Sequence, residues 1–307
     1  MTADAPLMRH TEANPARPLP AAIHDARADL GPIVADMLAI PEAALERDWS
    51  WTGGGEADVR YGLYRPYELF ERAQTEASRS MGASLRDDTL AAALIAPSGA
   101  ARWDLHGLLA PLSEAEIDAD AGGGEWSIRQ TLGHIVNSQR GYGWGTAWWQ
   151  DQGFALDDPD LPQNQGDAFW ADLPDEETTE QQGSLEEIRA RLDAIVDLSA
   201  ERLAGMPEER ANRGARWSGF AVPIAFRLGR WSSHLREHTI QIEKALVTLG
   251  RTPTEPERLI RLTLAAYGRA EAVVLGQADA DAAAGIIRAA VSEARVAIAD
   301  ARGVAEA

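Results

Sequence analysis

Between residues 23 and 45 the apolar side chains Ile23, Leu30, Ile33, Val34, Met37 and Leu38 return every three or four positions, the rhythm of one face of an α-helix. The same rhythm around Leu63, Tyr67, Phe70 and Ala73 predicts a helix over 59–83, and another runs through 101–112, with Pro111 near its end. Leu185, Ile188, Leu192, Ile195, Val196 and Leu203 form a stripe that starts at Ser184, where Glu187 completes a capping box. Ser127 with Gln130 announces a further helix to about Trp149. The helix that reaches Leu249 is ended by Gly250, and Pro253 bars its continuation. Two Ala-rich helical patterns, about 255–275 and 279–301, follow. No stretch reads as a strand, so the predicted class is all-α.

Parts of this pattern repeat. Leu38 to Leu45 followed by Gly53-Gly-Gly-Glu-Ala-Asp-Val-Arg60 mirrors Leu109 to Ile117 followed by Gly122-Gly-Gly-Glu-Trp-Ser-Ile-Arg129, and a fainter copy leads from Leu203 to Arg216-Trp217-Ser218. The unit is helix, Trp/Gly loop, helix, and two units make a four-helix bundle. The acidic connection 151–183 is too long for neighbouring antiparallel helices and fits the long crossover of such a bundle, with Trp144, Trp148, Trp149 and Trp170 placed to wall a pocket. The expected organisation is a disordered arm over 1–22, a helical pair over 23–96, the bundle proper over 97–251 and a C-terminal pair over 252–307. The outer pairs are expected to pack together as a degenerate second bundle that buttresses the first.

Composition narrows the chemistry. The 307 residues hold no cysteine, which excludes disulfides, thiolate metal sites and a cysteine nucleophile. A net charge of -19 sets the global field against nucleic acid. No run approaches the apolar length of a membrane span and no signal peptide is evident, so a cytoplasmic protein with no membrane partner is expected. Lys244 is the one lysine, which with abundant Ala and Gly points to a GC-rich genome.

His234 and His238 stand four apart in a predicted helix, one turn apart on one face and close enough to grip one ion. A third ligand must come from elsewhere, and His134 lies on the equivalent helix of the preceding unit. Trp126-Ser-Ile-Arg-Gln-Thr-Leu-Gly-His134, together with His234-x-x-x-His238-x-x-Gln241-Ile242, resembles the DinB/YfiT superfamily of metal-binding four-helix bundles over about residues 97–251. The resemblance implies His134, His234 and His238 as the metal ligands, with Trp126 and Trp217 as the structural tryptophans of the two loops. Three departures accompany it: His234 stands farther from Trp217 than the family pattern places it, Glu237 replaces a histidine often found there, and Arg65 occupies the place of His134 in the first unit.

Three imidazoles leave zinc, nickel or iron(II) with open positions, as in catalytic sites. The resemblance further implies thiol chemistry, an S-transferase or isomerase that activates a low-molecular-weight thiol, with the GC-rich look favouring mycothiol. Gln241 is a candidate to orient His238, and Arg129, Arg227, Arg230 and Arg236 are candidates to orient an anionic small-molecule substrate. A homodimer is compatible with the resemblance. Two rival readings stand beside it. One is a metal-binding or stress-response protein without catalysis. The other is a peptidase reading of His234-Leu-Arg-Glu-His238, in which Glu237 is the general base and a downstream carboxylate completes the site.

Overall fold

The computed structural model describes Leu7 and residues 14–51, 55–82 and 88–307. Among them the chain runs through α1 (Ala21–Ala39), a 3-10 turn (Glu42–Ala44), β1 (Asp48–Trp51), β2 (Gly55–Asp58) and α2 (Val59–Met81). It continues through α3 (Leu90–Ile95), α4 (Pro97–Leu109), α5 (Glu114–Ile117) and α6 (Ile128–Gln152). After α7 (Asp167–Asp172) and a π-helical turn (Glu176–Glu180) come α8 (Leu185–Leu203) and α9 (Glu208–Ala211). β3 (Gly214–Trp217), β4 (Phe220–Pro223), α10 (Ile224–Thr248), α11 (Glu255–Ala272) and α12 (Asp281–Glu306) complete it. The protein is all-α in class, as its periodicity predicts.

Local chemistry sets the long helices. Ser127 accepts from the Gln130 N–H while the Gln130 side chain reaches back to Ser127, and Ser184 with Glu187 repeats this box at α8, satisfying donors that a bare first turn leaves orphaned. Gly153 closes α6 in the left-handed conformation, with φ 71°.

α4, α6, α8 and α10 pack around one another as the central bundle. Leu105, Leu109, Ile128, Ile135, Leu192, Leu235 and Ile242 fill one part of its core, and Trp144, Trp149, Leu203, Leu228 and Trp231 fill another. Each such side chain removed from water contributes about 1.5–3 kcal/mol before entropy is counted. His234 lies between Trp231 and Leu235, where the two apolar parts meet along α10. The chain ends share a separate core, in which Ile23, Leu30 and Ile33 of α1 and Leu63 and Phe70 of α2 meet Ile260, Ile287 and Ile298 of α11 and α12. α11 also packs along α4, so it joins the two bundles.

The seam between the bundles is charged. Glu271 of α11 accepts from Arg27 (2.8 Å), Arg102 (2.6 Å), the Trp103 indole (3.0 Å) and the Tyr267 hydroxyl (3.0 Å). Arg102, fully buried, is also paired with Asp197 of α8 at 2.8 Å. His106, on the same face of α4, contacts Asp193 through Nε2 at 2.8 Å and receives a hydrogen bond from Arg189 at Nδ1, 3.1 Å away.

Two features differ from the sequence expectation. Two antiparallel hairpins occur where only loops are expected: β1 with β2, and β3 with β4. Each strand is four residues long, too short for a two-residue alternation to stand out. In the second, Ser218 and Gly219 both take positive φ (46° and 84°), as the tight turn between twisted strands requires. The faint third copy is therefore the closer structural match to the first, since in both a hairpin runs directly into a long helix. The other difference concerns the expected arm. Residues 1–6 and 8–13 lie outside the described residues, as do residues 52–54. Leu7 is buried in the central bundle, however, and Asn14 donates to Gln150 at 2.9 Å and to the Arg202 carbonyl at 3.1 Å.

Candidate metal centre

α6 and α10 are neighbours in the central bundle, and their facing sides bring the three histidines together. One ring nitrogen from each of His134, His234 and His238 lies within 4.8 Å of the others. His234 Nε2 and His238 Nε2 are 2.9 Å apart, as the one-turn spacing on α10 predicts. The His134 ring centroid lies 5.3 Å from that of His234 and 4.7 Å from that of His238. Metal–nitrogen bonds of about 2.0–2.1 Å can span such a triangle after small side-chain rotations.

The partners of the other ring nitrogens favour this orientation. His238 Nδ1 is 2.7 Å from Gln241 Oε1, the role the spacing assigns to Gln241. His134 Nδ1 is 3.1 Å from Glu176 Oε2. With Nδ1–H donated in each case, Nε2 keeps its lone pair for the common centre. His234 Nδ1 is buried without a partner. Burial lowers the basicity of both histidines on α10, pushing His234 down to about 3 and His238 in the same direction. Both therefore stand neutral at pH 7, the form that ligates metal.

Glu176 escaped the sequence reading. It sits in an acidic run within the long crossover, and no spacing rule distinguishes it from its neighbours. The fold delivers it through the π-helical turn, which is pinned beside α6 by the Asn137 side chain on the Pro174 carbonyl (2.8 Å) and by Arg140 on buried Glu180 (2.8 Å). Gly133 makes the approach possible. A Cβ there would stand 2.3 Å from the Gln181 side chain and 3.1 Å from its backbone nitrogen. Crossover and His134 thus meet because the residue before His134 has no side chain.

Trp126 lies just outside the Ser127 cap, and its ring folds back to 5.1 Å from His134, which accounts for the eight-residue interval between them. Trp217 ends β3, and the return strand β4 supplies the extra residues before His234. Its ring packs on Tyr142, 5.4 Å away, and Tyr142 in turn presses edge-on to His234 at 5.2 Å. Glu237 points to solvent, its side chain 60% exposed and paired with Arg230 at 3.2 Å. No carboxylate joins the histidine cluster among the described residues, so nothing in the geometry supports Glu237 as a general base. Arg65, the counterpart of His134 in the first unit, pairs instead with Glu68 and Glu293, at 2.9 and 3.2 Å.

Beside the histidines opens a cavity of about 360 Å³, bounded by Ser138, Tyr142, Trp170, Trp217 and Arg227. Ser138 Oγ is 3.4 Å from His134 Nε2, so the cavity begins at the cluster. Of the tryptophans expected to wall a pocket, Trp170 does so, while Trp144 and Trp149 are buried in the core. Their large apolar faces find more contact between helices than at an open wall. Among the candidate arginines, Arg129 is held by Glu114, Asp118 and two backbone carbonyls, Arg236 is exposed and Arg230 is paired with Glu237. Arg227 alone of the four combines burial with a place on the cavity.

No helix among the described residues is long and apolar enough to cross a membrane. No curated protein and no solved structure matches the chain. Residues 99–242 match the family model of the DinB superfamily. That span runs from α4 through all three histidines to Ile242, so the match takes in most of the central bundle, and the flanking helices lie outside it.

Proposed function

We propose that His134, His234 and His238 together hold one divalent metal ion, zinc, nickel or iron(II), and that the protein is a metal-dependent S-transferase or isomerase acting with a low-molecular-weight thiol such as mycothiol. The observation that carries this reading is the convergence of three imidazoles, none of them paired with a carboxylate at Nε2, beside a cavity whose wall includes their neighbours Ser138 and Tyr142. An all-nitrogen set of three leaves coordination positions for a substrate atom. The Nε2 lone pairs of His134 and His238, held inward by Glu176 and Gln241, fit such an ion.

A bound divalent ion supplies Lewis acidity that favours the deprotonated form of a thiol at neutral pH. The chain's own residues do the rest. Glu176 and Gln241 fix ring orientation, and Trp126 covers one side of His134. The Tyr142 phenol, its pKa raised by burial, stays protonated as a neutral neighbour of His234. Because the chain contains no cysteine, the reacting sulfur arrives with the substrate.

Metal analysis of protein purified without chelator is the first test, and the expected result is one equivalent per chain. His134→Ala is expected to lower metal affinity by roughly two orders of magnitude or more, since a tridentate site becomes a bidentate one. Retention of metal in that variant would overturn the site. Turnover of an electrophile by the metal-loaded protein with candidate thiols then separates enzyme from carrier. No turnover with any thiol leaves a metal-binding protein and removes the transferase.

A further inference from the structure

The cavity beside the histidines carries a guanidinium that no carboxylate among the described residues neutralises. Arg227 is 5% exposed. Its Nη1 donates to the Arg216 carbonyl at 2.8 Å, its Nε has no partner, and no carboxylate pairs with it. Among the described residues Arg216, half-buried on the same cavity, bonds to the carbonyls of Leu161, Pro162 and Gly219 and to no carboxylate. Two such guanidiniums are unexpected in a chain where 48 acidic residues face 29 basic ones. The seam shows how this protein otherwise buries arginine, with Arg27 on two carboxylates and Arg102 on three. A buried charge without a counterion costs several kcal/mol and persists where something else supplies the opposite charge.

We propose that this cavity is a carboxylate subsite, in which the Arg227 guanidinium receives the acid group of the substrate whose other end reaches the three-histidine centre. The assignment deepens the function proposed above and rests on it for the second half of that statement only. Guanidinium and carboxylate match as planar forks, and one cation balances one monoanion. Uncharged hydrogen-bonding groups, Asn137, Gln163 and Asn164, make up much of the remaining polar wall and suit the hydroxyl or amide groups of an acid-bearing substrate. The seat of Arg227 is also shaped. A Cβ on Gly145 would stand 2.5 Å from Arg227 Nη2 and 3.1 Å from Gln165 Nε2, so the bare position on α6 is what admits the guanidinium. Burial pulls Arg227 down to about 10, which still leaves it charged at neutral pH.

The test uses the full chain freed of metal by chelator, titrated calorimetrically with glutarate, with its uncharged analogue glutaramide and with inorganic phosphate. Glutarate is expected to bind, glutaramide at least about 10-fold more weakly, as loss of a charge-assisted pair implies, and phosphate more weakly than glutarate. Arg227→Gln is expected to weaken glutarate by about 10-fold or more. Gly145→Ala keeps the charge and favours the helix, yet it displaces the fork and is expected to weaken glutarate as well, which covers the case in which the glutamine variant fails to fold. Equal binding of glutarate and glutaramide, tighter binding of phosphate, or unchanged affinity in Gly145→Ala would each overturn the subsite. Repeating the titration with zinc added separates the two readings: glutarate binding without zinc uptake sinks the metal centre and leaves the carboxylate subsite standing.

Discussion

Two regions of this molecule bury polar and charged groups between helices, and they do it in opposite ways. In the seam between the bundles, Arg27 and Arg102 meet Glu271 and Asp197, and Trp103 and Tyr267 add their donors to the same carboxylate. At the histidine end, Arg227 meets no carboxylate among the described residues, and three imidazoles aim at a common point. Burial is comparable in the two places, so desolvation alone does not distinguish them. What differs is whether the chain itself supplies the opposite charge. Groups that are paired inside the chain hold helices in place, and groups left unpaired at a cavity wait for a ligand.

The sharpest way to break that contrast is Glu271→Ala. It removes the shared acceptor of four donors and leaves two buried guanidiniums to divide Asp197 and Asp193. Though burial by itself pushes the Glu271 carboxyl up, Arg27 and Arg102 hold it down to about 2, so it is ionised throughout the physiological range. Breaking one partner of a buried pair costs about 3–5 kcal/mol, measurable as a shift in the denaturant midpoint. Metal bound per folded molecule is expected to stay the same. A variant as stable as the parent would show that the seam does not couple the bundles.

The complementary change is Glu176→Gln, which keeps shape and removes the charge facing His134 Nδ1. Loss of such a partner costs about 10–100-fold in metal affinity, read by competition with a chromophoric chelator, with the melting temperature of the metal-free protein nearly unchanged. Gln241→Ala, which frees His238 Nδ1, is expected to fall at the lower end of that range. If neither variant moves the affinity while His134→Ala does, the three rings are oriented by packing alone.

The two regions were also unequally legible in the sequence. The histidine cluster was legible in two steps, because one turn of α10 sets His234 above His238 and the family resemblance adds His134 on α6. Gln241 was visible for the same reason. Glu176 was not, since its position depends on how an irregular crossover lies across Gly133, a tertiary fact with no period. The seam was invisible altogether. Arg27, Arg102, Asp197 and Glu271 each look like solvated helix residues until two bundles close over them. The hairpins were missed because four-residue strands carry too little pattern, although Trp217-Ser-Gly-Phe220 contained the turn signal.

The smallest expected effect concerns the one property that both regions share, a neutral buried histidine. In the seam, Arg189 donates to His106 Nδ1, so that nitrogen holds a lone pair and Nε2 carries the proton toward Asp193. Burial lowers His106, as it lowers His234 in the other region to about 3. Both are thus depressed in the fold relative to an unfolded value of about 6.5. The unfolded chain takes up a proton first as pH falls, so each histidine's contribution is complete above about 6.5 and shrinks as pH drops below it, for His234 down to about 3. His234 adds up to about 1.4 kcal/mol per pH unit to the slope of stability against pH in that window, and His106 adds in the same direction. His234→Asn is expected to remove up to about one proton's worth of slope between pH 6.5 and 5 in the metal-free protein, and His106→Asn to flatten the slope in the same direction, measured by urea unfolding across that range. Zinc at saturation should then tell the regions apart, raising stability at pH 6.5 in the parent and in His106→Asn and scarcely at all in His234→Asn. An equal zinc response in the two variants would erase the distinction between a histidine buried for architecture and one buried for a ligand.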